Sequence, residues 1–181
     1  STPSEKDLSF ATRMRESAFK RFLKNMNEGT VLDMEGPFGD FFLHENTKRQ
    51  VVFLAGGIGI TVFHSMIKDA TERNLPYKII LLYSNRRPED APFLPELENL
   101  AKKNANFKLV ATMTDMARSK KDWHEETGYI DESMIKRYLD LRENPLFYIA
   151  GPLGMLSSLR GVLNNMAVSN DDIRSEEFIG Y

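Results

Sequence analysis

The chain has 181 residues, 24 lysines and arginines, 26 aspartates and glutamates, and no cysteine. This length suits one domain around one hydrophobic core, and the formal net charge of -2 gives no basic field for a nucleic-acid partner. Without cysteine there is no disulfide, thiolate-bound zinc, iron–sulfur cluster or cysteine nucleophile, so redox chemistry would need an organic cofactor. Because no apolar run reaches about 20 residues, we expect a cytoplasmic protein with no membrane partner.

Residues 1–48 differ in pattern from the rest of the chain. The apolar spacing of SAFKRFLKNM predicts a short helix that begins after Ser17. The following GTVLDMEGPFGDFFLHE predicts two short strands, VLDM and DFFL, around a Gly-Pro-Phe-Gly bend. Since so short a unit rarely folds alone, we predict a first segment over residues 1–48 and one domain over residues 49–181.

From Arg49 onward, strand and helix patterns alternate. Continuous apolar runs, typical of strands buried on both faces, occur in QVVFLA, YKIILLYS, FKLVATMT and NPLFYIAG. Helical spacing occurs in FHSMIKDATER, PFLPELENLAKKN, DESMIKRYLDL and GPLGMLSSLRGVLNNMAV, with Asp131 as a predicted N-cap. Strands separated by helices predict an α/β fold with a doubly wound parallel sheet.

Three glycines, Gly56, Gly57 and Gly59, follow the first predicted strand in GGIGIT, and Thr61 adds a hydroxyl. Glycines between a strand and a helix let the backbone approach a ligand, and the helix N-terminus offers free N–H groups to a phosphate. A tight turn with close helix packing is the alternative. Since the spacing is not GxGxxG, this motif alone leaves both interpretations open.

Two further strand ends carry candidate ligand-binding residues. YSNRR places Ser84, Arg86 and Arg87 at the carboxyl edge of the predicted sheet, where α/β folds bind ligands. Serine and arginine there suit a ribose 2′-phosphate and favour NADPH, although neighbouring acidic residues weaken that preference and a solvated loop of charges is the alternative. AGPLGM forms a second glycine-bearing turn between a strand and a helix.

Taken in order, GGIGIT, YSNR, AGPLGM and EEFIGY resemble the C-terminal half of the ferredoxin-reductase family of flavoproteins, which includes phenol hydroxylase and dioxygenase reductase components. The resemblance implies an NAD(P)H-dependent oxidoreductase that passes a hydride from NADPH or NADH to a flavin, and electrons onward to ferredoxin or another acceptor. It places Gly56, Gly57, Gly59 and Thr61 at the nicotinamide cofactor's pyrophosphate and Ser84 and Arg86 by its adenosine ribose. It places Gly151, Pro152 and Met155 by the nicotinamide.

The resemblance also assigns residues 1–48 to the last part of an antiparallel β-barrel flavin domain. Ser17 is similar to a family serine that touches the FAD pyrophosphate, and ordinary helix capping is the alternative. Phe178 or Tyr181 resembles the aromatic residue that covers the flavin, so both are candidate catalytic residues. The family's main flavin motif, an arginine, an aromatic and a serine or threonine, does not occur in these 181 residues. The alternative function is therefore a nicotinamide-nucleotide-binding module without bound flavin.

Two expectations concern partners and metals. The predicted strands VLDM and DFFL would expose unpaired edges together with Phe38, Phe41 and Phe42, so we expect a homodimer through residues 1–48. The three histidines share no common spacing, and we assign no metal site.

Overall fold

The structure is a computed structural model and describes residues 1–36 and 38–177. In this part of the chain the strands are β1 (Val51–Gly56), β2 (Ile79–Asn85), β3 (Phe107–Met113), β4 (Glu126–Thr127), β5 (Leu146–Gly151) and β6 (Ile173–Glu177). The α-helices are α1 (Ala18–Asn25), α2 (Ile60–Glu72), α3 (Leu94–Lys103), α4 (Glu132–Tyr138) and α5 (Leu153–Asn165).

The strands form one sheet in the order β4-β3-β2-β1-β5-β6, and every pair is parallel. The predicted α/β fold with a doubly wound parallel sheet is therefore confirmed. The chain builds the sheet outward from β1, first through β2 and β3 and later through β5 and β6. The direction of winding thus changes between β1 and β5, and the carboxyl ends of adjacent strands leave a crevice at such a point.

Side chains alternate between two cores, one on each face of the sheet. Phe53 of β1 packs with α2 and α3, and its ring stacks on Phe63 with centroids 4.3 Å apart. The next residue, Leu54, points to the opposite face and packs with α4 and α5. This period of two explains the continuous apolar sequence of the central strands, because both faces are covered by helices.

The predicted helix N-cap at Asp131 is confirmed. Its carboxylate accepts a hydrogen bond from the backbone N–H of Met134 at 2.7 Å, and α4 follows directly. The two outer strands, β4 and β6, were not predicted. β4 has two residues, and β6 reads IRSEE, so neither carries an apolar run. A strand at the edge of a sheet has only one pairing partner and needs less apolar sequence.

The strands predicted at VLDM and DFFL are wrong, because residues 31–34 and 40–43 carry no strand hydrogen bonding. A strand needs a partner ladder, and a lone two-stranded hairpin is marginal in water. Side-chain contacts, in place of a strand ladder, attach the region that begins with DFFL to the domain. Phe41 was expected to be exposed, but it is half-buried, with its ring centroid 5.6 Å from that of Tyr148. The Tyr77 hydroxyl donates to the carbonyl of His44 at 2.6 Å.

In the described part of the chain, no helix has the length and apolar character needed to cross a membrane.

Candidate functional site

A cavity of about 580 Å³ opens at the carboxyl edge of the sheet, where β1, β2 and β5 end. This volume is in the range of small-molecule and cofactor sites, which span about 300–1,000 Å³. The cavity lies at the point where the winding of the sheet changes direction. Six of the predicted cofactor-binding residues line it: Gly56, Gly57, Ser84, Arg86, Pro152 and Met155.

Gly57 supplies an open backbone surface on the floor of the cavity. Its φ of +53° is in the left-handed region that favours glycine, and no described atom lies within 4 Å of the position a Cβ would take. A short 3₁₀ turn, Gly57–Gly59, leads from β1 into α2, and no side chain caps either element. Backbone N–H groups at this end are therefore available to an anion, which the helix dipole also favours.

Gly56 and Gly59 serve packing. A Cβ on Gly59 would overlap the backbone carbonyl of Ala150, so this glycine lets the start of α2 lie directly against β5. A Cβ on Gly56 would overlap the sulfur of Met155, which lies over this glycine. For Gly59 the structure therefore favours the packing interpretation of the motif, whereas Gly57 has the open surface that a phosphate needs.

Helix α5 also begins at the cavity, directly after the turn that follows β5. Pro152 is its N-cap residue, and its first turn carries no acidic side chain and no side-chain cap. Pro152, Gly154 and Met155 line the cavity. The AGPLGM turn thus faces GGIGIT across the crevice, and both turns present uncapped helix starts.

The two arginines after β2 have different surroundings. Arg87 forms a two-bonded ion pair with Asp90, with Nε to Oδ2 at 2.7 Å and Nη2 to Oδ1 at 3.0 Å. The hydrogen bond that Arg87 donates to Asp90 raises the pKa of Arg87 above its ordinary value. Arg86 is exposed, lines the cavity and forms no ion pair with any other described residue. Of the two arginines after β2, Arg86 is therefore the one available to a ligand phosphate.

The remaining predicted site residues lie elsewhere. Gly151 is buried at the end of β5, and Thr61 lines a separate cavity next to Phe41 and Phe93. Ser17 is exposed and caps α1, where its hydroxyl accepts from the N–H of Lys20 at 3.2 Å. Phe178 and Tyr181, the candidate catalytic residues, lie outside the described residues.

Nine of the residues that line the cavity were not predicted, and three of these, Arg13, Tyr129 and Asn85, carry groups suited to a ligand. Arg13 comes from the N-terminal segment, where one exposed arginine among several basic residues carries no sequence signal. Tyr129 follows β4 and is 79% exposed, so a flat aromatic surface is available at the cavity wall. Asn85 is the last residue of β2; it is 6% exposed, and its amide nitrogen has no hydrogen-bond partner among the described residues.

The residues at this site fit a nicotinamide dinucleotide. Uncapped helix starts and the open backbone of Gly57 suit a pyrophosphate. Arg86 suits a further phosphate, because a guanidinium forms charge-assisted hydrogen bonds with phosphate oxygens. The exposed ring of Tyr129 suits stacking with a base.

Comparison with protein families and relatives agrees with this geometry. The family model described as the oxidoreductase NAD-binding domain matches residues 53–161, more than half of the chain. NADH-cytochrome b5 reductase 2 of Lodderomyces elongisporus is 27% identical over 167 residues, covering 90% of this chain and 55% of the relative. The flavohemoprotein of Oceanobacillus iheyensis is 25% identical over 150 residues, covering 83% of this chain and 36% of the relative. The chain thus spans about half the length of these relatives or less.

Solved structures show the same fold. The cytochrome b5 reductase domain of Ulva prolifera nitrate reductase has a TM-score of 0.76 and 28% identity, over 90% of this chain and 66% of that one. The flavohemoglobin of Malassezia yamatoensis, solved with bound FAD and heme, has a TM-score of 0.75 and 24% identity, over 87% of this chain and 40% of that one.

The close packing around Gly59 predicts that adding one methyl group there lowers the stability of the fold. Gly59→Ala should lower the free energy of unfolding by about 1–3 kcal/mol, because its Cβ meets backbone that has no room to move. Gly161→Ala is the matched control. Gly161 is exposed inside α5 with no described atom near its Cβ position, so alanine should stabilise by about 0.5–1 kcal/mol. Urea unfolding of both variants measures the difference, and equal effects would contradict the packing role.

Proposed function

The chain belongs to the oxidoreductase NAD-binding domain family, and from that premise we propose that it binds NADPH or NADH in the cavity at the ends of β1, β2 and β5. The resemblance to the ferredoxin-reductase family is confirmed by the family match and by the similar reductases. Members of this family work with NADH or NADPH and with FAD. The reaction class that we propose for this chain is NAD(P)H-dependent oxidoreduction.

One observation supports the proposal more than any other. The two glycine-bearing turns, the end of β2 and the exposed ring of Tyr129 meet around a single cavity, although they lie far apart in the sequence. In the proposed complex, the N–H groups at Gly57 bind the pyrophosphate and Tyr129 stacks with the adenine. Pro152 and Met155 bound the space for the nicotinamide.

Bound there, the nicotinamide cofactor would supply a hydride to a flavin, from which electrons pass to ferredoxin or another acceptor. The contribution of this chain is to orient the nucleotide, since fixed geometry supplies much of the acceleration of such a transfer. Met155 packs over Gly56 beside the proposed nicotinamide position. In the proposed complex, its apolar side chain would contact the nicotinamide ring.

Among the described residues, Ser17 is the one that the resemblance places at the FAD pyrophosphate. Ser17 uses its hydroxyl to cap α1, and no residue of that helix is buried. The alternative function, a nucleotide-binding module without bound flavin, is separated from the reductase by adding FAD, removing the excess and recording the visible spectrum. A retained flavin band that bleaches with NADPH or NADH identifies a reductase, and nucleotide binding without a band identifies the module.

Calorimetric titration with NADPH and NADH tests the proposed site directly. We expect saturable binding of one nucleotide per chain and a loss of about tenfold or more in affinity in Gly57→Ala, because the new methyl group covers the surface offered to the pyrophosphate. Gly29→Ala is the control, since Gly29 also has a positive φ, +85°, but does not line the cavity. If the wild type binds neither nucleotide, or if both variants lose affinity equally, the proposed site is wrong.

The different surroundings of Arg86 and Arg87 predict which of NADPH and NADH binds more tightly. We propose that NADPH is preferred, because Arg86 is available to a 2′-phosphate and Arg87 is held by Asp90. Arg86→Gln should weaken NADPH binding by about tenfold with little change for NADH, since a charge-assisted hydrogen bond is lost. Arg87→Gln should leave the ratio of the two dissociation constants nearly unchanged. A larger effect from Arg87→Gln would reverse the assignment.

We also propose that residues 1–48 form a homodimer interface. Large apolar side chains in this segment are exposed, including Leu8 at 79%, Val31 at 89% and Phe38 at 81%. Exposed apolar surface of this kind marks an association site. Since α1 presents Phe19 and Phe22 to solvent, the double variant Phe19→Ser, Phe22→Ser should shift a dimer toward monomer in size-exclusion chromatography with light scattering. A wild type that is a clean monomer at high micromolar concentration would rule out the dimer.

A further inference from the structure

Asn85 carries the one buried amide nitrogen at the candidate site that lacks a hydrogen-bond partner among the described residues. Buried polar groups in native proteins are nearly always paired, and an unpaired donor lowers stability. The folded chain therefore retains an unfavourable group beside a cavity of ligand size. An acceptor atom of a bound ligand would pair with this amide and explain why the folded chain retains it.

The backbone around Asn85 is held firmly. Its carbonyl accepts the N–H of Thr114 at 2.9 Å and the hydroxyl of Thr114 at 3.2 Å. In the sheet, Asn85 pairs with Met113 of β3, and the preceding Ser84 pairs with Gly56 of β1. The end of β2 is thus fixed from both sides, while the side chain of Asn85 has no fixed hydrogen-bond partner among the described residues.

The position of Asn85 relative to Gly57 identifies which part of the nucleotide it meets. Neighbouring strands in a sheet lie about 4.7–4.9 Å apart. Tyr129 follows β4, which lies on the same side of β1 as β2. An adenine stacked on Tyr129 therefore directs the adenosine half of the nucleotide from the start of α2 over the end of β2. Many dinucleotide folds carry an Asp or Glu after this strand, which binds the ribose 2′-hydroxyl of NAD. This chain has a neutral amide there.

We propose that Asn85 is a specificity-determining residue, whose amide hydrogen-bonds the 2′-oxygen of the adenosine ribose. This proposal rests on the proposed function of the cavity. An amide contains both a donor and an acceptor, and rotation about its last torsion exchanges their positions. It binds a hydroxyl or a phosphate oxygen and repels neither. Asn85 therefore admits both NADH and NADPH, and the neighbouring Arg86 adds the preference for the 2′-phosphate.

Two substitutions of Asn85 should change the affinities for NADH and NADPH in different ways. Asn85→Ala should weaken NADH and NADPH to a similar extent, by about tenfold, because the same hydrogen bond is lost from both. Asn85→Asp should keep NADH within about threefold of the wild type, since a carboxylate accepts from the 2′-hydroxyl. It should weaken NADPH at least tenfold more than NADH, because two negative charges then lie in contact. Calorimetric titration with each nucleotide measures all four values.

A stability measurement without nucleotide separates ligand recognition from a structural role. Asn85→Ala removes no side-chain hydrogen bond with a described residue and removes an unpaired buried donor, so its urea midpoint should not fall below that of the wild type. Asn104 is the matched control, because its amide donates to the hydroxyl of Thr71 at 3.0 Å and accepts from the N–H of Asn106 at 2.9 Å. Asn104→Ala should lower the midpoint and leave both nucleotide affinities unchanged.

The outcomes are distinct. Wild-type affinities in Asn85→Ala, or a preference for NADPH in Asn85→Asp, would overturn the role of Asn85 while the nucleotide site stands. A lowered midpoint in Asn85→Ala with unchanged affinities would also overturn it, because the residue would then act in folding. If the wild type binds neither nucleotide, the proposed function fails and this role fails with it.

Discussion

The close approach of Gly59 to the carbonyl of Ala150 is the contact on which the geometry of the site depends. It brings the start of α2 against the end of β5, at the point where the winding of the sheet changes direction. Because the helix lies so close, the chain between β1 and α2 turns tightly, and Gly57 adopts its left-handed conformation. At the same edge of the sheet, Met155 of α5 lies over Gly56. The cavity between the two turns is thus a consequence of backbone packing.

In the loop after β2, most charged side chains bind each other or the backbone, so adjacent charged residues play different roles at the cavity. Asp90 binds Arg87, and Glu89 accepts from the N–H of Lys120 at 3.1 Å and the hydroxyl of Ser119 at 3.0 Å. Both carboxylates are engaged, so they oppose an incoming phosphate less than their sequence position suggests. Arg86 then carries the cationic role at the cavity by itself among the side chains of this loop.

The N-terminal segment is attached to the domain through side chains. Its start is tied to α2, where Lys68 lies 2.6 Å from Glu5 and lowers the pKa of that carboxyl to about 2. Its end is tied to the sheet, where the hydroxyl of Tyr148 accepts the N–H of His44 at 3.0 Å. Between these attachments the segment brings Arg13 to the cavity. It therefore contributes to the site without contributing a strand to the sheet.

Periodicity along the chain determined the central strands and the helices, because burial on one or two faces leaves a repeating apolar pattern in the sequence itself. It also indicated which turns carry glycine and which strand ends carry arginine. It failed for VLDM and DFFL, because a strand needs a neighbouring strand to pair its backbone hydrogen bonds. The sequence of one segment does not show whether such a neighbour is present. It did not separate Gly57 from Gly59, because these glycines differ in which atoms remote in sequence lie nearby. It did not separate Arg86 from Arg87 either, because the folded loop decides which of the two pairs with Asp90. The unpaired amide of Asn85 became visible for the same reason: burial and the absence of a described hydrogen-bond partner are properties of the tertiary structure, in which segments remote in sequence come into contact.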